Sequence, residues 1–162
     1  MNIAKKVVLL GHFGVGKTSL VRRFVDMAFS EEYLVTMGVH IKKKTITING
    51  EDISLIIWDI EGKNNIEEAR KSYLLGSHAF VYVFDVSRPE TYENIESEID
   101  YIKEHFNSIP YCIVGNKADL FTKDFSESFF DKEVFKNSYF TSAKTGDNVE
   151  TMFAEIAQKT LS

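Results

Sequence analysis

Gly11-His-Phe-Gly-Val-Gly-Lys17-Thr18 has the spacing G-x-x-x-x-G-K-[ST], and it stands between two segments of different period. Before it runs Ala4–Leu10, apolar and β-branched, which reads as a strand. After it runs Thr18–Met27, with Leu20, Val21, Phe24 and Val25 on one side, which reads as a helix. A glycine-rich loop that leaves a strand and opens a helix is an anion cradle. Gly11, Gly14 and Gly16 let the backbone curl closely, and the N–H groups of Phe13 through Ser19, Val15 included, can turn toward a phosphate. The helix N-terminus adds positive potential. Lys17 is placed to reach the β- and γ-phosphates of a nucleotide, and the Thr18 hydroxyl to sit on Mg²⁺. The plain alternative is a glycine turn that binds nothing; the strand before it and the helix after it count against that.

Outward from this loop the pattern keeps alternating. Val39–Ile48 and Ile53–Trp58 flank Asn49-Gly50, a hairpin signal. Ala79–Val86 and Tyr111–Gly115 are continuous apolar runs of the kind found in buried parallel strands, and Ser138–Thr141 is a short further strand. Thr91–Phe106, Ser126–Phe135 and Asn148–Leu161 have helical spacing. Strands alternating with helices predict an α/β P-loop nucleotide-binding fold, with a mostly parallel six-stranded sheet and helices on both faces. No linker or repeat divides residues 1–162, so a single domain is expected.

Composition narrows the function classes. The 162 residues carry a net charge of −5, without the basic footprint that nucleic acid demands. The only cysteine, Cys112, lies in an apolar run and has no internal partner, which fits a reducing, cytoplasmic setting. The four histidines show no metal-ligand spacing. No run approaches the ~18 apolar residues of a membrane span. The end, Gln158-Lys-Thr-Leu-Ser162, has no cysteine for prenylation, so membrane association is expected only through a partner or a missing tail.

The base is read from Asn116-Lys-Ala-Asp119, at the carboxyl end of a predicted strand. A carboxylate there accepts from both N1–H and the 2-amino group of guanine. Adenine offers neither donor, so such a site rejects it. Asp119 is the candidate for this role, with the Lys117 stem on the base plane and Asn116 bracing the loops. With the phosphate loop, these residues and Thr141-Ser-Ala-Lys144, the chain resembles the Ras-like small GTPases, and most closely their Rab branch. The resemblance implies a GTP/GDP-binding domain with Mg²⁺. It implies base contacts from Ser142, Ala143 (through its N–H) and Lys144, with Phe29 edge-on to the base. Thr36 would complete the Mg²⁺ shell and hold the γ-phosphate, Asp59 would bind the metal through water, and the Gly62 N–H would touch the γ-phosphate. Ile41, Trp58 and Tyr73 would form a hydrophobic triad facing effector and regulatory proteins, on a monomer. The first of these is Phe in the Rab pattern, so Ile41 is a departure.

Three further departures bear on chemistry. The second switch of the family begins D-T-A-G-Q; here it reads Asp59-Ile-Glu-Gly-Lys63. The glutamine that orients the attacking water is replaced by Lys63, whose ammonium has donors only. Glu61 brings a carboxylate near the expected γ-phosphate. Phe13 puts bulk in the loop where the family has a small residue, crowding any arginine finger. These residues predict a GTPase with weak intrinsic hydrolysis. The alternatives are a non-hydrolysing, GTP-retaining interaction module, or turnover in which Glu61 or an activating protein positions the water. An ATP-using P-loop enzyme is a third class, against which Asn116–Asp119 argues.

Overall fold

The computed structural model describes residues 3–25, 34–36 (backbone only), 39–60, 71–120, 132–136 and 138–161. The expected Phe29, Glu61, Gly62 and Lys63, and most of the expected helix Ser126–Phe135, lie outside these residues. At its end a short 3₁₀ turn, Glu133–Phe135, is present.

The chain runs β1 (Ile3–Leu10), α1 (Lys17–Val25), β2 (Leu34–Thr36), β3 (Val39–Ile48), β4 (Glu51–Ile60), α2 (Lys71–Leu74), β5 (Ala79–Asp85), α3 (Ile95–His105), β6 (Tyr111–Asn116), β7 (Tyr139–Phe140) and α4 (Val149–Lys159). The strands form one sheet in the order β2-β3-β4-β1-β5-β6-β7. β1, β4, β5, β6 and β7 are mutually parallel, and β3 returns antiparallel on β4 through the Asn49-Gly50 turn. The six expected strands are all present. The three-residue β2, which has too few residues to show a period, adds a seventh by pairing antiparallel with Val39–Ile41.

β5, β6 and the second half of β1 are buried on both faces because they are apolar at consecutive positions, not at alternate ones. Val7, Leu9, Val81 and Val83 face α1 and α4, where Phe24 and Phe153 stack with ring centroids 4.1 Å apart. Val8, Leu10, Phe80, Tyr82 and Phe84 face the opposite way, toward Leu74 of α2 and Ile95, Ile99 and Ile102 of α3. The expected helix Thr91–Phe106 begins later, at Ile95. The Thr91 hydroxyl takes the Asp85 N–H and donates to backbone carbonyls, which holds Pro89–Thr91 as a 3₁₀ turn instead. The three consecutive lysines of β3, Lys42 to Lys44, have different surroundings. Lys43 is exposed, but Lys42 is buried, and Lys44 donates to the Phe24 carbonyl at the end of α1 and lies over its ring. Among the described residues no helix is long and apolar enough to cross a membrane.

Candidate functional site

The carboxyl ends of β1, β4, β5 and β6 bring together segments that are far apart in sequence. The loop from Gly11 to Gly16 leaves β1 and enters α1, as its spacing predicts. Lys17 is buried in it, and its ammonium donates to the carbonyls of Gly11 (3.2 Å) and His12 (3.4 Å). Both bonds are long, and they hold the charge within the curl of the loop. Gly16 is required by close approach: its φ is +97°, and a Cβ there would stand 2.3 Å from Asn116 Nδ2. Ser19 is exposed on the first turn of α1.

Asn116 ends β6 fully enclosed, and every polar atom of its amide is used. Its Nδ2 donates to the Val15 carbonyl (3.0 Å). Its Oδ1 accepts from the Thr141 hydroxyl (3.1 Å) and the Ala143 N–H (3.3 Å). One side chain thus ties the phosphate loop to the Thr141–Lys144 segment. Ala143 differs from expectation in one respect: its N–H faces Asn116, over a long bond, and must share or leave that acceptor to contact a base. Ser142 is buried and donates to Asp119 Oδ1 at 2.8 Å, which orients an otherwise exposed carboxylate. The Ala118 N–H bonds the Thr141 carbonyl at 2.9 Å, closing the Asn116–Asp119 and Thr141–Lys144 segments on each other. Lys144 is exposed, and its carbonyl accepts from Arg23 of α1 at 2.9 Å.

Lys117 adopts φ +63°, unusual for a side-chain-bearing residue, and this turns its stem back over the loop. Its ammonium donates to the Gly14 carbonyl at 3.0 Å and lies 2.9 Å from Asp85 Oδ2, an ion pair without hydrogen-bond angles. Asp85 has no exposed surface. Burial raises its carboxyl pKa, but the Ser87 hydroxyl and N–H and the Lys117 ammonium outweigh burial and hold it below the usual range. Asp85 escaped the motif reading. The available signal was a lone acid closing an otherwise apolar strand.

Thr18 and Asp59 meet beside the loop, with the hydroxyl 2.5 Å from Asp59 Oδ2. Burial pushes the Asp59 carboxyl above its usual range; the Thr18 hydrogen bond and then the Lys17 ammonium pull the other way. Two hard oxygens in contact, one a carboxylate that burial disfavours as an anion, fit Mg²⁺. Among the described residues no cluster of three or more His, Cys, Asp or Glu could hold a metal. A cation here would accordingly complete its shell with ligand oxygens and water, the usual habit of Mg²⁺. Thr36 ends β2, its backbone paired with Val39.

The expected hydrophobic triad lies on the other side of β4. Ile41 pairs across the strands with Trp58, and the Trp58 and Tyr73 rings are 6.1 Å apart. All three are half-buried, and the Lys6 ammonium covers the Trp58 ring at 3.8 Å. Phe13 is 73% exposed, its ring standing off the loop into solvent.

The sequence model of the Ras family matches residues 6–162.

Proposed function

Because this chain belongs to the Ras family, and so to the GTP-binding small GTPases, we propose that it is a Rab-like molecular switch with slow intrinsic GTP hydrolysis. The observation that carries guanine-nucleotide binding is the Asn116 amide. It joins the Val15 carbonyl of the phosphate loop to Thr141 and Ala143, so cradle and base segment are one construction. Asp119, oriented by Ser142, is the acceptor for guanine N1–H and the 2-amino group.

Thr18, Thr36 and Asp59 (through water) would hold Mg²⁺, which would supply positive charge to neutralise the phosphates. The chain's own residues do the rest. Lys17 and the loop N–H groups hold the phosphates, and the Gly62 N–H takes a γ-oxygen. In GTP hydrolysis a water attacks the γ-phosphorus, GDP leaves, and the water's proton must find an acceptor. Lys63 is a donor only and does not orient that water as glutamine does. Glu61 adds repulsion toward the γ-phosphate. The switch segments around Thr36 and Gly62 would be ordered by GTP and released after hydrolysis. Partners would read them together with Ile41, Trp58 and Tyr73. The protein would act as a cytoplasmic monomer that meets membranes through a partner or a tail.

One observation favours a second reading, a GTP-retaining module that hardly turns over. Phe13 is exposed on the loop, and its bulk would crowd an activating protein's arginine. Single-turnover hydrolysis of Mg²⁺-GTP by the wild type and by Lys63→Gln tests both. A slow wild type that the glutamine accelerates supports the switch with a weakened catalytic step. Ordinary hydrolysis by the wild type overturns the assignment of slow turnover to Lys63. A nearly inert pair favours the GTP-retaining module.

A further inference from the structure

A peptide plane points its carbonyl and the following N–H in opposite directions. A loop that aims N–H groups inward at a phosphate must therefore hold its carbonyls outward. In this loop each carbonyl from Gly11 to Val15 has a side-chain donor. Lys17 serves Gly11 and His12, Lys117 serves Gly14 and Asn116 serves Val15. The one between, Phe13, accepts from Arg88 Nη1 at 2.9 Å. Arg88 belongs to none of the nucleotide motifs. It sits in the turn after β5, where its carbonyl accepts from the Thr91 N–H and hydroxyl, and its Nε pairs with Glu90 at 3.1 Å. Gly14 leaves the guanidinium its place, since a Cβ there would lie 3.0 Å from Nη1. The cation is also felt next door: the His12 imidazole is held below its usual range by burial first and by Arg88 second.

We propose that Arg88 is a positioning residue that clamps the Phe13–Gly14 peptide plane, aims the Gly14 N–H into the loop and so slows release of bound guanine nucleotide. This rests on the functional reading above, that the loop holds nucleotide phosphates. The neighbouring planes have their own donors, so loss of Arg88 frees one plane and leaves the rest of the cradle standing.

The test is the release rate of a fluorescent GDP analogue from the full chain in Mg²⁺ buffer. Arg88→Ala is expected to release about fivefold faster, the effect of one hydrogen bond to a charged donor at a partly exposed position. Arg88→Lys, which keeps a cationic donor of similar reach, is expected to return to within about twofold of wild type. Circular dichroism of all three should coincide. Release from Arg88→Ala at the wild-type rate overturns the clamp while leaving nucleotide binding intact. Equally fast release from both variants also overturns it, because the bulk of arginine and not its hydrogen bond would then matter. A wild-type chain that holds no guanine nucleotide overturns the functional reading and the clamp together.

Discussion

The Thr18 hydroxyl donates to Asp59 Oδ2 at 2.5 Å across 41 residues of chain. The sheet makes this contact: β1 and β4 run parallel with Leu9 beside Asp59, so the acid stands next to the loop that β1 feeds. The loop spacing by itself points to Thr18 as a metal ligand, whereas Asp59 has no such pattern and is set beside it by the strand register. Their proximity provides the donor pair.

Removal of either oxygen should uncouple nucleotide retention from the metal. Thr18→Ala and Asp59→Ala are expected to release GDP in Mg²⁺ buffer about as fast as the wild type does in excess chelator. Wild-type release should slow by at least about tenfold when Mg²⁺ is restored, which corresponds to about 1.4 kcal/mol of coupling. Release rates with and without chelator check this. A wild type insensitive to chelator would remove Mg²⁺ from the account.

The Asn116 amide should be among the costliest side chains to lose. Asn116→Ala strands the Val15 carbonyl, the Thr141 hydroxyl and the Ala143 N–H in a buried setting. The expected destabilisation is about 2–4 kcal/mol, read from urea unfolding, with nucleotide binding lost. Gly16→Ala should do comparable damage by another route, since its Cβ would collide with the same Nδ2 and the residue sits at φ +97°. Wild-type stability in either variant would show that the bridge carries little weight.

Cys112 should be inert in the folded protein. Burial pushes its thiol from 9.0 up to about 12, so at pH 8 the folded chain has about a thousandfold less thiolate than the unfolded chain. Alkylation by iodoacetamide should therefore track unfolding. The sign for stability follows. An acid whose folded pKa is raised contributes its stability fully below the unfolded value of 9.0, and that contribution fades as pH rises through about 12. A Cys112→Ala variant should lose stability less steeply than wild type over that alkaline window, measured by denaturant midpoints. Rapid alkylation under native conditions would contradict the burial.

Much of this architecture was legible along the chain. Ala79–Phe84 and Tyr111–Val114 are apolar at consecutive positions, and only a strand enclosed on both faces needs that. The Asn49-Gly50 turn announced the hairpin because its two residues accept positive φ. The start of α3 was harder to read. Periodicity continues through Thr91 and Tyr92, but the Thr91 hydroxyl competes for the backbone and delays the helix to Ile95. β2 could not be read at all, since three residues carry no usable period.

The glycine-rich loop, the Asn116–Asp119 tetrapeptide whose carboxylate we propose reads guanine, and the alternation that predicts the sheet are short-range patterns, and short-range chemistry suffices to write them. The partners that hold the site in shape are of another kind. Arg88 reaches the Phe13 carbonyl over 75 residues, Asn116 reaches the Val15 carbonyl over 101, and Lys117 finds its counter-charge in Asp85 at the end of a neighbouring strand. Those contacts depend on which strands lie side by side and in what register. Hydrogen bonds act over about 3 Å, and only the assembled sheet brings such distant residues that close.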